Sequence, residues 1–237
     1  MFNKMQKKLC ALAILAATST SVMANSVDLT VVGTITPAAC TPTLTGGGAI
    51  DYGTMRPSQL DPADGYTVLT MKEIDFAIAC DAPARVAIKA INGRPGTVVG
   101  AAEGAGGFSV APTGVSLFGA ADAPTAGLGL DGTDKIGGFS LRIPNASVTL
   151  DGAAAADGLQ RDAGAATWNT GSNGLLFGNT AVREMTWSAA AAAGAPGTFT
   201  NMAGKVQVQA FINKASELDL KKPIALDGMA TIEVVYL

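Results

Sequence analysis

The chain contains no histidine among its 237 residues, and this absence removes several kinds of chemistry. Histidine is the usual proton shuttle near neutral pH, the base in Ser-His-Asp and Cys-His catalysis, and a common zinc ligand. Aromatic residues make up only 5% of the chain and charged residues only 15%, whereas glycine occurs 29 times. The composition therefore argues against histidine-based enzymes and helical bundles, and it favours short strands joined by many turns.

Positive charge is also scarce. The chain has 16 Lys and Arg against 19 Asp and Glu, for a formal net charge of −3. Three of the lysines, Lys4, Lys7 and Lys8, lie in an N-terminal segment that we expect to be removed, which leaves the product more acidic still. An acidic protein is poorly suited to the phosphate backbone, so we expect no nucleic-acid binding.

The N-terminus has the pattern of a secretory signal peptide. Its lysines precede a short apolar run, Leu9 to Ala17, and Val22-Met23-Ala24 suits the cleavage site, which predicts a signal peptide over residues 1–24. The run is too short for a transmembrane helix, and no other stretch is long and apolar enough to be one. We therefore expect a product that is exported through the inner membrane to the periplasm, with no transmembrane segment after cleavage.

Cysteine is limited to three residues, of which Cys10 leaves with the signal peptide. The remaining pair, Cys40 and Cys80, predicts a disulfide, because paired cysteines in an exported protein are normally oxidised. Two free thiols are the alternative. Closing a loop of this size stabilises a fold by roughly 4 kcal/mol in the chain-entropy model.

Apolar residues alternate along much of the chain, and this period of two is typical of β-strands. The C-terminal stretch carries four such residues, Ala230, Ile232, Val234 and Tyr236, and residues 25–36 alternate in the same way. Asn92-Gly93 predicts a hairpin turn. Further strands are predicted over residues 66–71, 73–80, 85–91, 108–110, 115–118, 139–143, 175–177, 183–187 and 205–212. The pattern predicts an all-β fold, a single β-sandwich with enlarged Gly/Ala-rich loops between residues 100 and 201.

Two pairs of aspartates and two tryptophans are the remaining candidates for chemistry. Asp61/Asp64 and Asp131/Asp134 lie in turn contexts, where aspartate is favoured because it bonds its own backbone. We therefore predict no enzyme, no metal site and no cofactor. Trp168 and Trp187 could stack on a sugar, although core packing is the expected use of each.

Four segments carry the most specific sequence signal. They are Thr34-Ile35-Thr36-Pro37-Ala38-Ala39-Cys40-Thr41-Pro42, Asp51-Tyr52-Gly53, Cys80-Asp81-Ala82-Pro83 and Leu226-Asp227-Gly228-Met229-Ala230-Thr231-Ile232. Together they resemble pilins of the chaperone–usher pathway and, more narrowly, a proteobacterial group described as probable major subunits of β-fimbriae, otherwise of unknown function. The resemblance covers both ends of the chain and the segment between the two cysteines.

The resemblance implies an immunoglobulin-like, pilin-type β-sandwich over residues 37–237 that lacks its last strand. A periplasmic chaperone first completes such a subunit, and the N-terminal extension of the neighbouring pilin then replaces the chaperone at an outer-membrane usher. Residues 25–36 correspond to that extension or to a first strand. The resemblance places the donor-strand residues at Val27, Leu29 and Val31. It places the terminal strand that pairs with the chaperone at Ala230, Ile232, Val234 and Tyr236. Its implied role is a structural subunit of a cell-surface fimbria.

Two features depart from the pilin pattern. Well-studied pilins carry a glycine further from the C-terminus than Gly228, at a position that corresponds here to about Ile224. The extension from Asn25 to Val32 also spans only about 26 Å at about 3.3 Å per residue. The alternative is therefore a self-contained periplasmic or surface binding module, an adhesin or sugar-binding sandwich, in which residues 25–36 pair with their own chain.

Overall fold

The computed structural model describes residues 27–36, 38–191 and 194–237. The signal peptide predicted over residues 1–24 lies outside these residues. The described chain is all-β, as predicted, and its helical content is limited to single turns of 3-10 helix. These turns are Thr45–Gly48, Pro57–Gln59, Asn145–Ser147 and Ala215–Glu217.

The strands of the described residues pair only in antiparallel fashion with one another. They are β1 (Cys40–Leu44), β2 (Thr67–Val68), β3 (Lys72–Ala84), β4 (Val86–Asn92), β5 (Ser109–Val110), β6 (Pro124–Gly127), β7 (Leu130–Asp131), β8 (Asp134–Lys135), β9 (Gly137–Arg142), β10 (Thr149–Leu150), β11 (Ala153–Ala154), β12 (Asp157–Asp162), β13 (Arg183–Ser188), β14 (Phe199–Ile212) and β15 (Ala230–Tyr236).

Two sheets enclose one main core in the unit formed by residues 37–237. The larger sheet has the order β1-β3-β14-β9-β6-β5, with β2, β10 and β11 attached at its flanks. The smaller sheet has the order β12-β13-β4-β15. The two sheets together form a β-sandwich, in which β1 and β15 are each the last strand of their sheet.

The alternating patterns place the core residues on the predicted faces. Phe76, Ile78 and Cys80 of β3 are buried, and so are the alternate apolar residues of β4 and β14. Cys40 and Cys80 lie directly opposite each other in the β1–β3 pair and form the predicted disulfide. The two-residue period therefore identified the inward face of each long strand correctly.

Several local predictions fail. Asn92 ends β4 but no hairpin follows, because Gly93 donates its N–H to the carbonyl of Met229 and β4 pairs with β13 and β15 instead. The alternation over residues 25–36 predicted a strand, whereas the described part, residues 27–36, forms none. An alternating pattern supplies two faces, but a strand also needs a backbone partner.

Residues 100–201 contain more regular structure than their composition suggests. β13 was predicted, while β12, which pairs with it along its whole length, was not. The stretch 115–118 forms no strand and contributes only an isolated bridge between Leu117 and Ala120. Glycine and alanine give weak strand signals, so pairing here is decided by neighbours rather than by propensity.

Candidate functional site

An open apolar groove of about 660 Å³ lies on the side of the sandwich where β1 and β15 end their sheets. Its floor is made by side chains of the larger sheet and of the loop before β7. These floor residues are Ile74, Leu128, Phe139, Leu141, Val206 and Val208. The groove is therefore a continuation of the main core that the two sheets leave uncovered.

Two extended segments form the walls of the groove. One is residues 48–55, which follow β1, and the other is residues 223–228, which lead into β15. Their apolar side chains are half-buried against the core: Ile50, Tyr52, Met55, Ile224 and Leu226. Half-buried apolar side chains that converge on one opening make this groove a candidate interaction surface.

Tyr52 brings one polar group into this apolar wall. Its hydroxyl donates to the carbonyl of Val208 at 3.3 Å. Burial raises the pKa of the Tyr52 phenol to about 12, so the group stays neutral at every physiological pH. The wall consequently carries no charge at this point, which suits an apolar occupant.

The outer edge of β15 offers unpaired backbone groups. The bonds from Gly93 N to Met229 O and from Leu237 N to Arg85 O show that the odd-numbered residues bond to β4. In an antiparallel pair the intervening residues point their N–H and C=O away from the partner. The backbone of Ala230, Ile232, Val234 and Tyr236 therefore faces an edge that no strand of the described residues covers.

This free edge continues N-terminally beyond β15. Asp227 donates its N–H to the carbonyl of Leu128 at 2.8 Å, so it follows the same odd-numbered pattern. Leu226 and Gly228, like Ala230 and Ile232, line the groove. A side chain at Gly228 would place its Cβ 2.9 Å from Leu128 Cδ2 and Phe139 Cε1, so glycine allows the backbone to lie close to the floor of the groove here.

The facing strand, β1, presents a poor backbone edge. Asp81 donates to the carbonyl of Ala39, so the residues whose N–H and C=O face away from β3 are Cys40, Pro42 and Leu44. Pro42 has no N–H. Pro42 lies on the same face as its buried partner Ile78 and is nevertheless exposed.

The four residues predicted for the terminal strand do not all line the groove. Ala230 and Ile232 line it, whereas Val234 packs against the core. Tyr236 instead accepts a hydrogen bond at its hydroxyl from the N–H of Cys40, with 2.7 Å between the two atoms. The sequence patterns did not predict that residues 48–55 and 223–228 form the walls of the groove. The sequence signals in these segments were the family motifs at 51–53 and 226–232.

The donor candidates lie in the unit formed by residues 1–36. The side chains of Val27, Leu29 and Val31 are each about nine-tenths exposed, at 94%, 91% and 89%. Large apolar side chains are rarely so exposed in a row at alternate positions.

The other candidates have structural partners. Asp61 accepts from Ala63 N–H at 2.8 Å, which is turn chemistry. Asp131, which lies next to the turn of the β7–β8 hairpin, pairs with Lys222 at 2.8 Å. Trp187 is buried in the core, while the half-buried ring of Trp168 is covered on one face by the guanidinium of Arg161, 4.3 Å from its centroid.

Neither a metal cluster nor a membrane-spanning helix is found among the described residues. No group of three or more Cys, Asp and Glu side chains in that part of the chain is placed to hold a metal ion. No helix formed by residues 27–36, 38–191 or 194–237 is long and apolar enough to cross a membrane.

Comparison with known proteins places the chain in a family. Residues 29–140 match a family model described as a protein of unknown function, DUF1120. Protein GltF of Escherichia coli (strain K12) is 30% identical over 241 residues, which cover 96% of this chain and 94% of GltF. No solved structure gives a significant match. The extent and identity of the GltF alignment mean that the chain belongs to the same family as Protein GltF.

Proposed function

We propose that this protein is a structural subunit of a cell-surface fimbria, and that its groove takes up a β-strand from another protein. The observation that carries the proposal is the open groove beside β15, where apolar side chains and unpaired backbone groups lie together. A sheet edge of this kind is a template for pairing with another chain. An added strand would gain main-chain hydrogen bonds from the edge and apolar contacts from the groove.

The occupant in the assembled fimbria is the N-terminal segment of a second copy. Its alternating Val27, Leu29 and Val31 provide three apolar side chains on one face of an extended strand. Each copy carries one groove and one such segment, so the contact is head-to-tail and produces a fibre rather than a closed ring. In this proposal the N-terminal segment is the donor strand, and the C-terminal strand β15 borders the groove that receives it.

A periplasmic chaperone covers the groove before assembly, and an outer-membrane usher exchanges the chaperone for the donor. An uncovered groove with a free strand edge is an aggregation hazard, which gives the chaperone its physical role. The sandwich in this proposal is immunoglobulin-like and lacks its last strand. The product belongs to the periplasm first and to the fimbria at the cell surface afterwards.

The proposal is tested with a synthetic peptide of residues 25–36 and a receptor that cannot donate. The receptor is residues 25–237 with Val27, Leu29 and Val31 all replaced by Asp. We expect one peptide to bind per receptor in calorimetric titration. At a free peptide concentration of 100 times Kd, the receptor should gain about 2.7 kcal/mol of unfolding free energy.

Neighbouring residues of β15 provide a matched control. Ile232 faces the groove, whereas Thr231 is exposed on the opposite face. Ile232→Lys should therefore abolish peptide binding, and Thr231→Lys should leave it within about twofold. A peptide with Leu29→Asp should also fail to bind. The proposal is wrong if the receptor folds as a stable monomer and binds the native and the substituted peptide equally.

The alternative is a self-contained binding module, and the size of the groove supports it. A volume of about 660 Å³ lies within the range of small-ligand pockets, about 300–1,000 Å³. In that case the wild-type residues 25–237 should remain monomeric at high concentration in light scattering and should bind an apolar small molecule that Ile232→Lys excludes. Growth of polymers that the triple Asp variant does not form would favour the fimbrial subunit.

A further inference from the structure

The hydrogen bond between Tyr236 and Cys40 joins the free edges of the two sheets. Tyr236 lies on the uncovered edge of β15, and Cys40 is the first residue on the uncovered edge of β1. The N–H of Cys40 points away from β3 and donates to the Tyr236 hydroxyl at 2.7 Å. We call this contact between Tyr236 and Cys40 the clasp.

The β1 side of the clasp is firmly held. Cys40 is bonded to Cys80 through the disulfide. Ala39, its neighbour, donates to the carboxylate of Asp81 at 2.8 Å and accepts from the Asp81 N–H at 3.0 Å. Cys40, whose N–H forms the clasp, is thus fixed to β3 by its disulfide bond, and the preceding residue is fixed to β3 by two hydrogen bonds.

The groove ends where the clasp begins. On the β15 side the lining alternates through Ile224, Leu226, Gly228, Ala230 and Ile232, and it includes neither Val234 nor Tyr236. On the β1 side it includes Leu44, but not Cys40 or Pro42. The groove therefore opens toward the loop that precedes β15, and its other end is closed.

We propose that Tyr236 acts as a stop that sets the register of the incoming strand. The strand docks along Ile224–Ile232, and its pairing with β15 ends before Tyr236, because the tyrosine side chain already spans the two edges. This inference rests on the proposed function and assigns a specificity-determining role within it. The occupant is the Val27–Val31 segment of a second copy.

Amide exchange of the peptide complex measures the register directly. In the triple Asp receptor bound to the 25–36 peptide, the amides of Ala230 and Ile232 should exchange at least tenfold more slowly than in the free receptor. The amide of Tyr236 should change by less than twofold. In Tyr236→Ala, the protection should extend to residue 236. Equal protection of Ile232 and Tyr236 in the unsubstituted receptor would overturn the proposal.

The free receptor tests the clasp independently of any peptide. Tyr236→Phe keeps the ring and removes only the hydroxyl acceptor, so the amide of Cys40 should exchange about fivefold faster, as expected for loss of one ordinary hydrogen bond. Tyr52→Phe is the matched control, because it removes another groove-side hydroxyl bond, the one to Val208. That control should leave the exchange of the Cys40 amide unchanged.

The two sets of results separate this inference from the proposed function. If the peptide does not bind, the proposed function fails. Faster exchange of the Cys40 amide in the free Tyr236→Phe receptor would still support the clasp at that end of the groove. If the peptide binds and the Cys40 amide is unaffected by Tyr236→Phe, the clasp is refuted while the proposed function stands.

Discussion

The two halves of β3 contrast the closed and the open parts of the same core. Ile78 and Ile74 lie on one face of the strand, four residues apart, in the same alternating pattern. Ile78 is 1% exposed beneath the covered part of the sandwich, whereas Ile74 is half-buried and lines the groove. The residue types are identical, so their different burial comes from what lies above them.

The two isoleucines show that the direction in which a side chain points and the packing of other strands over it are decided separately. Period-two alternation decides that both isoleucines point inward. Whether an inward side chain is covered depends on strands from elsewhere in the chain or, in our proposal, from another copy. The groove is consequently a region where the alternating pattern is satisfied and the packing is incomplete.

Loss of the disulfide should have the largest effect, and it acts at the closed end. Replacing Cys40 and Cys80 together by Ala removes a cross-link with a sequence separation of 40. The chain-entropy model gives a loss of about 4 kcal/mol in the free energy of unfolding. Urea unfolding of the variant and of the reduced wild-type chain should give the same value, and a loss below about 1 kcal/mol would contradict the expectation.

The isoleucine pair tests the contrast itself. Ile78→Ala should cost about 3 kcal/mol, because it leaves a cavity in a fully packed region. Ile74→Ala should cost about half as much, since its side chain is already partly in contact with water. Urea unfolding checks both values. In the presence of the 25–36 peptide the cost of Ile74→Ala should rise and that of Ile78→Ala should not; equal costs without peptide would remove the distinction.

Acid should affect the wall of the groove, and this is the smallest expected effect. The guanidinium of Arg94, bonded to both carboxylate oxygens of Asp227, lowers the pKa of Asp227 below its ordinary value of 3.8. Because the folded state favours the charged form, this stabilisation is present above pH about 4 and is lost as the pH falls through the folded-state pKa.

The measurement for this acid effect is amide exchange at Asp227, whose N–H bonds to Leu128. Opening at Asp227 should increase as the pH drops below about 4, after correction for the intrinsic pH dependence of exchange. Asp227→Asn should lack this acid dependence. An acid response that persists unchanged in Asp227→Asn would assign it to other carboxylates, such as Glu73, whose pKa is lowered by its bonds to Gln207 and Lys205.

The sequence predicted more of the fold than of the groove. Alternation identified the buried faces of β3, β4, β14 and the inward side of β15, and the count of cysteines in an exported chain gave the disulfide partners. It did not predict that Tyr52, Ile224 and Leu226 form the walls, because those residues lie in irregular segments that meet the core only after the sheets have packed.

The tryptophans illustrate the same limit. Both were equally possible core residues, yet Trp187 is buried and Trp168 lies half-buried beneath Arg161. Trp187 belongs to β13, which lies between β12 and β4, whereas Trp168 follows β12 in a loop. β12 itself was missed, because its Gly-containing sequence is a weak strand signal that only the pairing with β13 overcomes.

By itself the sequence determined the all-β class, the inward face of each long strand and the cysteine pair, since these follow from side-chain period and chemistry that are local to each segment. Only the tertiary structure decided that β1 and β15 end their sheets on the same side, that a groove stays open beside β15, and that the Tyr236 hydroxyl accepts a hydrogen bond from the N–H of Cys40. These features depend on contacts between residues nearly two hundred positions apart, and no local pattern encodes which distant strand will cover an apolar face.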